Sequence, residues 1–340
     1  MAASPAAGRP GGRAPTFDGD RCLLGRFAVS RCRACADACP RGALRSDERG
    51  LVCDESRCDG CGQCAPACSQ GAIAVDAGRP AVRRERTGGT AFVVCHGRAA
   101  PAGEPRPEGE VACLATLSLA DVEGLWRSGC RRIVAAAPCA RCGRDGASTL
   151  AARVRLFSLM LSSRGEAAVG FERVPADAWR ARFARAEALG AEGERRRGLI
   201  SAFAAARPRA RRDADGWLGL PTAGDGAVCA HRPRIDAVLC VGCDACARIC
   251  PRGAIRIAPD AYVIESGRCD GCGLCADICV DAAIRIDGPG VGGERRIPTR
   301  NGVCARCGAP FREPEARPRS ALCRICDRAA GRARLFQVLD

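Results

Sequence analysis

Two runs of cysteines decide how this sequence is interpreted: residues 240–251 read CVGCDACARICP, and residues 268–280 read RCDGCGLCADICV. Each run has the spacing C-x2-C-x2-C-x3-C. Three thiolates in one tight loop can bind one face of a metal–sulfur cluster, while backbone N–H groups point at its sulfurs. Zinc knuckles come instead as C-x2-C pairs. The spacing therefore predicts cluster ligands rather than two structural zinc sites.

The pattern resembles the bacterial two-cluster [4Fe–4S] ferredoxins. In that family the fourth cysteine of each run binds the cluster of the other run, so that the two halves of the module are held together. The resemblance implies one cluster on Cys240, Cys243, Cys246 and Cys279, and another on Cys269, Cys272, Cys275 and Cys250. Val280 stands where the second run often carries proline, and this departure touches no ligand.

The same module occurs a second time, 211 residues earlier. RCDGCGQCA around Cys58 corresponds to RCDGCGLCA around Cys269. With no change of offset, CADACPRGAL, ending at Leu44, corresponds to CARICPRGAI, ending at Ile255. Two matching blocks at one constant offset predict two copies of one structural unit, one on each side of a different central region.

One ligand is missing from the first copy, because Val29 stands at the position of Cys240. Cys22 lies seven residues upstream of Val29 and can fill the gap through a longer loop, as in related ferredoxin-like proteins with a wide first spacing. Cys53 is the rival, but it corresponds to Ile264 in an apolar strand, so we interpret it as a small buried hydrophobe. The resemblance then implies one cluster on Cys22, Cys32, Cys35 and Cys68, and another on Cys58, Cys61, Cys64 and Cys39.

A further set of cysteines follows the second module. Cys304-x2-Cys307 and Cys323-x2-Cys326 are separated by 15 residues, the spacing of a four-cysteine zinc ribbon. A rubredoxin-like iron site uses the same pairs but normally keeps aromatic residues around the iron, and only Phe311 lies between these knuckles. We therefore predict structural zinc, which does not change oxidation state, and a ribbon that serves as a scaffold or docking surface.

The central region alternates strand and helix patterns, which predicts a small parallel, doubly wound sheet. The predicted strands are Thr90–Cys95, Glu110–Leu114, Arg131–Cys139 and Ala167–Val174. The predicted helices run from Ser118, as N-cap, to about Gly129 and from Ser148 to about Ser163. A third helical pattern, between about 173 and 212, places Trp179, Phe183 and Leu189 on one face, and residues 206–213 then form a charged linker.

Three of the predicted central strands end at a cysteine, which brings Cys95, Cys113, Cys139 and Cys142 to one edge of the sheet. From Phe92 to Phe171 this order resembles the small iron–sulfur subunit of methyl-viologen-reducing hydrogenases, which implies a [2Fe–2S] cluster. Three interpretations stay open: a further cluster, a redox-active dithiol of Cys139 and Cys142, or ordinary buried cysteines. We interpret Cys130, Cys229 and the two histidines, His96 and His231, as structural or loop residues.

Composition limits the function. The 27 cysteines form an odd set, and no stretch is apolar enough for a signal or membrane span, so we expect a cytoplasmic protein with metal sites rather than disulfides. The formal net charge is +15, and every Lys/Arg position of the chain is arginine. Taken by itself, this charge indicates a protein that binds nucleic acid. Each oxidised cubane on four thiolates carries about −2, as does zinc on four cysteines, which leaves roughly +5. Stacking aromatics are also scarce, so no nucleic acid is expected.

The sequence thus predicts an α+β multidomain protein with two ferredoxin-like modules flanking a small α/β parallel-sheet domain, plus a C-terminal zinc ribbon. The expected segments are a disordered tail (1–16), ferredoxin module 1 (17–80), the central domain (88–175), Ala/Arg-rich helices and linker (176–225), ferredoxin module 2 (226–290) and the ribbon (300–330). We expect an electron carrier with four [4Fe–4S] clusters and one zinc, between a redox donor and an acceptor of dehydrogenase or hydrogenase complexes. A catalytic dithiol subunit and a nucleic-acid-binding regulator are the alternatives.

Overall fold

A computed structural model describes residues 14–47, 50–85, 88–95, 107–142, 144–197, 218, 220 and 226–332. The chain divides into two compact units: Met1–Ala28 with Cys32–Asp213, and Val29–Arg31 with Ala214–Asp340. Among the described residues, no helix combines the length and the hydropathy needed to cross a bilayer. His96 and the charged segment 206–213 lie outside the described residues.

The first unit begins with the N-terminal cysteine module, which is made of very short elements. They are β1 (Thr16–Phe17), α1 (Leu23–Arg26), α2 (Ala34–Asp37), β2 (Leu44–Asp47), β3 (Gly50–Cys53), α3 (Cys64–Ala67) and β4 (Ile73–Ala74). β1 pairs with β4 and β2 with β3, both antiparallel. The buried core of the module is small, with Leu44 and Ile73 packed beside the thiols of Cys35 and Cys64. Apolar burial alone is therefore a weak source of stability here.

The central domain follows within the same unit. Its elements are β5 (Ala81–Glu85), β6 (Gly88–Val94), a 3-10 turn (Leu114–Thr116), α4 (Leu119–Arg127), β7 (Cys130–Ala136), α5 (Cys139–Cys142), α6 (Gly146–Ser162), β8 (Gly170–Arg173) and α7 (Ala176–Arg197). The sheet order is β5-β6-β7-β8, with β6, β7 and β8 parallel and β5 antiparallel at the edge. The domain combines helices and strands, but its sheet is mixed rather than wholly parallel. Ser118 caps α4 in a capping box with Asp121.

Two details of the central prediction are wrong. Residues 110–114 form no strand, because their N–H groups alternate between two partners: Val111 donates to Val94, and Ala112 to Ala77. A 3-10 turn then follows. The sheet is also not doubly wound, since its strands lie in consecutive order without a reversal point.

Helix α7 packs against the sheet through aromatic side chains. Trp179 stacks on Phe183 with ring centroids 5.1 Å apart, and its indole N–H donates to the carbonyl of Val134 at 3.2 Å. Phe92 meets both rings edge-on. Leu189, predicted on the same face, is exposed instead. Among the side chains of α7 that the structure describes, those packed against the sheet lie between Ala178 and Ala186.

The side chain of Arg83 on β5 contacts both helix α7 and the loop before the 3-10 turn. We expect Arg83→Ala to destabilise the first unit by about 1–2 kcal/mol. Its guanidinium makes two hydrogen bonds to Glu108, at 2.8 and 2.9 Å, reaches Glu187 at 3.4 Å, and lies 4.7 Å from the ring centroid of Phe183. Arg83 is 16% exposed, so solvent screens it less than its acidic partners. Urea unfolding followed by tryptophan fluorescence measures the loss.

The matched control is Arg182→Ala, which removes an ion pair to Glu172 between two half-exposed side chains and is expected to cost less than about 0.5 kcal/mol. Hydrogen bonds from Arg83 hold the pKa of Glu108 below its usual range. The Arg83 contribution is therefore present above the unfolded pKa of about 4.3 and is lost as the pH falls. Equal losses for the two variants at neutral pH would contradict this assignment.

The second unit repeats the cysteine module and extends it. Its elements are β9 (Val228–Cys229), β10 (Arg232–Ile235), α8 (Ala245–Ile249), β11 (Ile255–Ile257), β12 (Ala261–Glu265), a 3-10 turn (Ser266–Arg268), α9 (Leu274–Asp277), β13 (Ile284–Asp287), β14 (Gly290–Val291), β15 (Glu294–Val303), β16 (Pro310–Pro314) and α10 (Arg324–Arg332). The pair β10–β13 corresponds to β1–β4, and β11–β12 to β2–β3.

The last strands form one sheet with the module. β15 is long enough to pair with β12 through Glu294–Pro298 and with β16 through Thr299–Val303, giving the order β11-β12-β15-β16. Tyr262, Ile264 and Ile297 are buried together on this sheet. The C-terminal cysteine pairs are thus attached to the second module through a continuous ladder of backbone hydrogen bonds.

Candidate iron–sulfur and metal sites

Two cavities of the second unit are each lined by cysteines from both runs. One, of about 310 Å³, is lined by Cys269, Cys272 and Cys275 together with Cys250. The other, of about 340 Å³, is lined by Cys240, Cys243 and Cys246 together with Cys279. The fold therefore groups the thiols in the exchanged sets that the ferredoxin resemblance implies, three from one run and one from the other.

The fourth cysteine of every run accepts a hydrogen bond from the backbone N–H four residues later. The sulfur-to-nitrogen distances are 3.3 Å at Cys39, 3.3 Å at Cys68, 3.3 Å at Cys250 and 3.2 Å at Cys279. Hydrogen bonds to sulfur are among the contacts by which a protein stabilises and tunes a bound iron–sulfur cluster. The same backbone-to-sulfur hydrogen bond therefore recurs at the fourth cysteine of all four runs.

Burial raises the pKa of the grouped thiols. It raises the pKa of Cys246 to about 12, with a further contribution from Cys240 and Cys243, and that of Cys275 to about 11, with a further contribution from Cys250. Ionising several such thiols together without a cation would be unfavourable, because their charges repel. A cationic iron core offsets that repulsion, so the donor set suits a metal centre.

The first module has an equivalent cavity, of about 380 Å³, lined by Cys58, Cys61 and Cys64 together with Cys39. On the other side of the module, Cys35 lies close to Cys32 and Cys68. Burial, and then these two neighbours, raises the pKa of Cys35 to about 11. The grouping again follows the exchanged pattern.

Cys22 occupies the same local turn as Cys240. The N–H of Cys22 donates to the carbonyl of Asp18, as that of Cys240 does to Asp236. The carboxylate of Asp18 accepts from the N–H groups two and three residues later, and so does that of Asp236. The extra residues of the first copy, including helix α1, thus lie after Cys22 rather than before it.

In the sequence, Cys53 is the rival of Cys22 as a ligand of the cluster with Cys32, Cys35 and Cys68. In the structure, it lies instead beside Cys58, which belongs to the other proposed cluster of the first module. It is half-buried at the end of β3, opposite Leu44, and its thiol hydrogen-bonds that of Cys58. Burial, and then the neighbouring Cys58, raises the pKa of Cys53 to about 12. The sequence missed this contact, because the residue at the repeat position, Ile264, carries no thiol to signal it.

Two of the central cysteines, Cys113 and Cys139, lie at the start of helix α6. Cys113 lies against Gly146, and the sulfur of Cys139 accepts from the N–H of Ala147 at 3.4 Å. Cys142 is close enough to Cys113 to raise its pKa further, although burial is the main cause of that shift. Cys95, after β6, donates to the carbonyl of Ala112 at 3.3 Å. Cys113 and Cys139 thus share contacts at the start of α6 although residues 110–114 form no strand, and Cys95 contacts the residue before Cys113.

The C-terminal cysteine pairs form the most compact group. The sulfurs of Cys304, Cys307, Cys323 and Cys326 lie within 4.8 Å of one another, and those of Cys307 and Cys323 are 3.8 Å apart. Bonds of about 2.3 Å to a tetrahedral metal place the sulfurs about 3.8 Å apart. Backbone N–H groups, first that of Cys323, lower the pKa of Cys304 to about 6. These four residues can hold a metal ion.

The remaining cysteines serve packing. Cys130 is fully buried as the first residue of β7, and Cys229 is buried in β9 against Gly292 and Ser266. The imidazole of His231 packs against Gly271 in the second module, where burial lowers its pKa despite the nearby Asp270.

Comparison with protein families defines the class. Residues 30–72 and residues 232–280 each match a family described as a 4Fe-4S dicluster domain. The chain is therefore an iron–sulfur protein with two ferredoxin-type domains, a class that transfers electrons between redox partners. The first match begins after Cys22. A comparison with curated proteins gave no match to this chain.

Proposed function

We propose that this protein is a polyferredoxin, an electron-transfer component that passes single electrons between two redox proteins through four [4Fe–4S] clusters. The proposed cluster ligands are Cys22, Cys32, Cys35 and Cys68; Cys58, Cys61, Cys64 and Cys39; Cys240, Cys243, Cys246 and Cys279; and Cys269, Cys272, Cys275 and Cys250. The observation that carries the proposal is the lining of three cavities by three cysteines of one run and one of the other.

The chain's own residues supply binding and environment. Each bound cluster would supply one-electron redox chemistry, with a potential set by hydrogen bonds to sulfur, burial and charge. The exchanged fourth cysteines fasten the two halves of each module, and the N–H groups of Ala43, Ala72, Ala254 and Ala283 point at their sulfurs. Buried side chains such as Leu274 and Ile255 keep water from the thiolates.

Two further centres complete the proposal. Cys304, Cys307, Cys323 and Cys326 hold one structural zinc, supported by their mutual distances. Cys95, Cys113, Cys139 and Cys142 hold a [2Fe–2S] cluster, supported by the contacts of Cys113 and Cys139 at the start of α6 and by that of Cys95 with the residue before Cys113. Because the latter sulfurs are not grouped as tightly as those of the ribbon, a polynuclear cluster suits them better than a single ion.

Iron, sulfide and zinc analysis of an anaerobic preparation, with EPR during a redox titration, tests the proposal. We expect about 18 iron, of which about two belong to the central [2Fe–2S] cluster, and about one zinc; about 16 iron would overturn the central cluster alone. EPR should show fast-relaxing signals of reduced cubanes that together integrate to about four spins. A result of eight iron or fewer would overturn the assignment of two modules.

A second candidate is a catalytic redox subunit that uses Cys139 and Cys142 as a dithiol. One observation favours it: the sulfur of Cys139 accepts a hydrogen bond from the N–H of Ala147, in the first turn of α6, at 3.4 Å. Alanine at both positions separates the two. A carrier keeps its cubane clusters and most of its electron transfer, whereas a dithiol enzyme keeps its cubanes and loses turnover.

A further inference from the structure

The two repeats differ at one position within an otherwise identical stretch of nine residues. Gln63 of the first module corresponds to Leu274 of the second. Leu274 is fully buried within its own module. The side-chain amide of Gln63 instead donates to the sulfur of Cys113 in the central domain, at 3.7 Å. The repeats therefore diverge at the residue where the first module meets the central cysteines.

The neighbouring glycine shows the same difference. A Cβ atom on Gly62 would lie 3.0 Å from a methyl group of Thr116, which belongs to the 3-10 turn of the central domain. A Cβ atom on Gly273, its counterpart, would have open space within 4 Å. The loop that carries Cys61 and Cys64 is thus packed against the central domain in the first module.

Arg144 adds a positive charge at this contact. Both modules pair an arginine with the aspartate of the loop, Arg41 with Asp59 at 2.9 Å and Arg252 with Asp270 at 3.0 Å. In the first module Arg144, between α5 and α6, forms a second and very close ion pair with Asp59. Its side chain is only 14% exposed. At the equivalent loop of the second module, the imidazole of His231 packs against Gly271.

The position of Arg144 lets it act on the cluster site. Its guanidinium pairs with Asp59, and the carboxylate of Asp59 accepts a hydrogen bond from the N–H of Cys61, a proposed ligand, at 3.2 Å. A partly buried cation stabilises the additional negative charge of a reduced cluster, because solvent screens it weakly. The amide of Gln63 donates instead to Cys113, which belongs to the central group of cysteines.

We propose that Arg144 raises the reduction potential of the cluster held by Cys39, Cys58, Cys61 and Cys64 above that of its repeat counterpart. This inference rests on the proposed function, and it makes an electron more stable on this cluster than on the cluster held by Cys250, Cys269, Cys272 and Cys275. The step concerned is the gain of one electron by the oxidised cluster from a one-electron donor protein. No covalent bond forms or breaks.

Potentiometric titration of the full chain, followed by EPR, tests the inference. Arg144→Gln removes the charge and is expected to make one of the four cubanes about tenfold harder to reduce, a lowering of about 59 mV for one electron. Gln63→Leu, which introduces the residue of the repeat, removes the hydrogen bond to Cys113 and keeps the charge of Arg144, so it should leave the potentials of the four cubanes unchanged. Arg155→Gln is the matched control, because it removes an exposed charge about 15 Å further along α6 and should move none.

Iron analysis of each variant separates the possible failures. If Arg144→Gln keeps its iron and no cubane changes its reduction potential, or if all four potentials change equally, the inference about Arg144 is overturned while the proposed function stands. If the unmodified chain lacks cubane clusters, the proposed function itself fails and the inference with it. If Arg144→Gln loses iron, the intermediate variant Arg144→Lys decides, since a retained charge with a lowered potential would contradict the electrostatic mechanism.

Discussion

The double variant Cys250→Ala/Cys272→Ala is expected to lose no more [4Fe–4S] centres than Cys250→Ala alone. Each variant should retain about three of about four cubanes. The reason is that Cys250 and Cys272 line the same cavity, although they belong to different runs. Loss of one ligand is expected to remove the whole cluster, so removing a second ligand of the same cluster should not lower the number of cubanes further. EPR spin counting after full reduction measures the number of cubanes.

A second double variant, which combines Cys250→Ala with the loss of a cysteine from the same run, provides the comparison. Cys250→Ala/Cys243→Ala should retain about two cubanes, because Cys243 lines the other cavity of the module. If ligands were not exchanged, this pair would retain about three and the first pair about two. The two double variants therefore give opposite results under the two arrangements.

Controls are available within the same unit. Cys229→Ala removes a buried thiol that lies in β9, outside both runs, and should retain every cluster. Zinc content reports on the ribbon cysteines, whose fold is joined to the module through β12 and β15. A variant that lost its zinc along with its clusters would have unfolded and would be replaced by the corresponding serine variant.

The cysteine sites were largely predictable because their information is local. Four cysteines at fixed spacing mark one ligand loop, and the same pattern occurs twice at an offset of 211 residues. The gap at Val29 was also informative, and the turn around Cys22 then matches that around Cys240. The compact group from Cys304 to Cys326 followed from spacing alone.

The features that sequence missed depend on contacts between distant segments. Residues 110–114 alternate like a strand, but their N–H groups bond to Val94 on one side and Ala77 on the other, so no ladder forms. β15 joins the ribbon cysteines to β12 through a sheet edge that no local pattern marks. Arg144 pairs with Asp59 across 85 positions in the chain, and one arginine among so many carries no signal by itself.

The second large effect is expected at the proposed C-terminal zinc site: Cys323→Ala should abolish zinc binding and unfold residues 304–326. The buried core of this segment consists of three of its cysteines, with only Phe311 and Leu322 packed against them. Short zinc-binding segments of this kind are unfolded without their metal, because they bury too little apolar surface. Amide hydrogen exchange should therefore show loss of protection at Cys304 and Ala305, whose N–H groups bond to Ala309 and Ala321.

The same experiment carries an internal reference, because β15 also belongs to the sheet of the second module. Its first half pairs with β12, and the arginine side chain of Arg312 reaches back to the carbonyl of Ala258 at 2.6 Å. Protection of Ala261–Glu265 should survive in Cys323→Ala, since those amides depend on the module and its clusters. Retained protection at Ala305 in a zinc-free variant would show that the ribbon folds without metal. Loss of protection throughout both strands would instead show that zinc stabilises the whole four-stranded sheet.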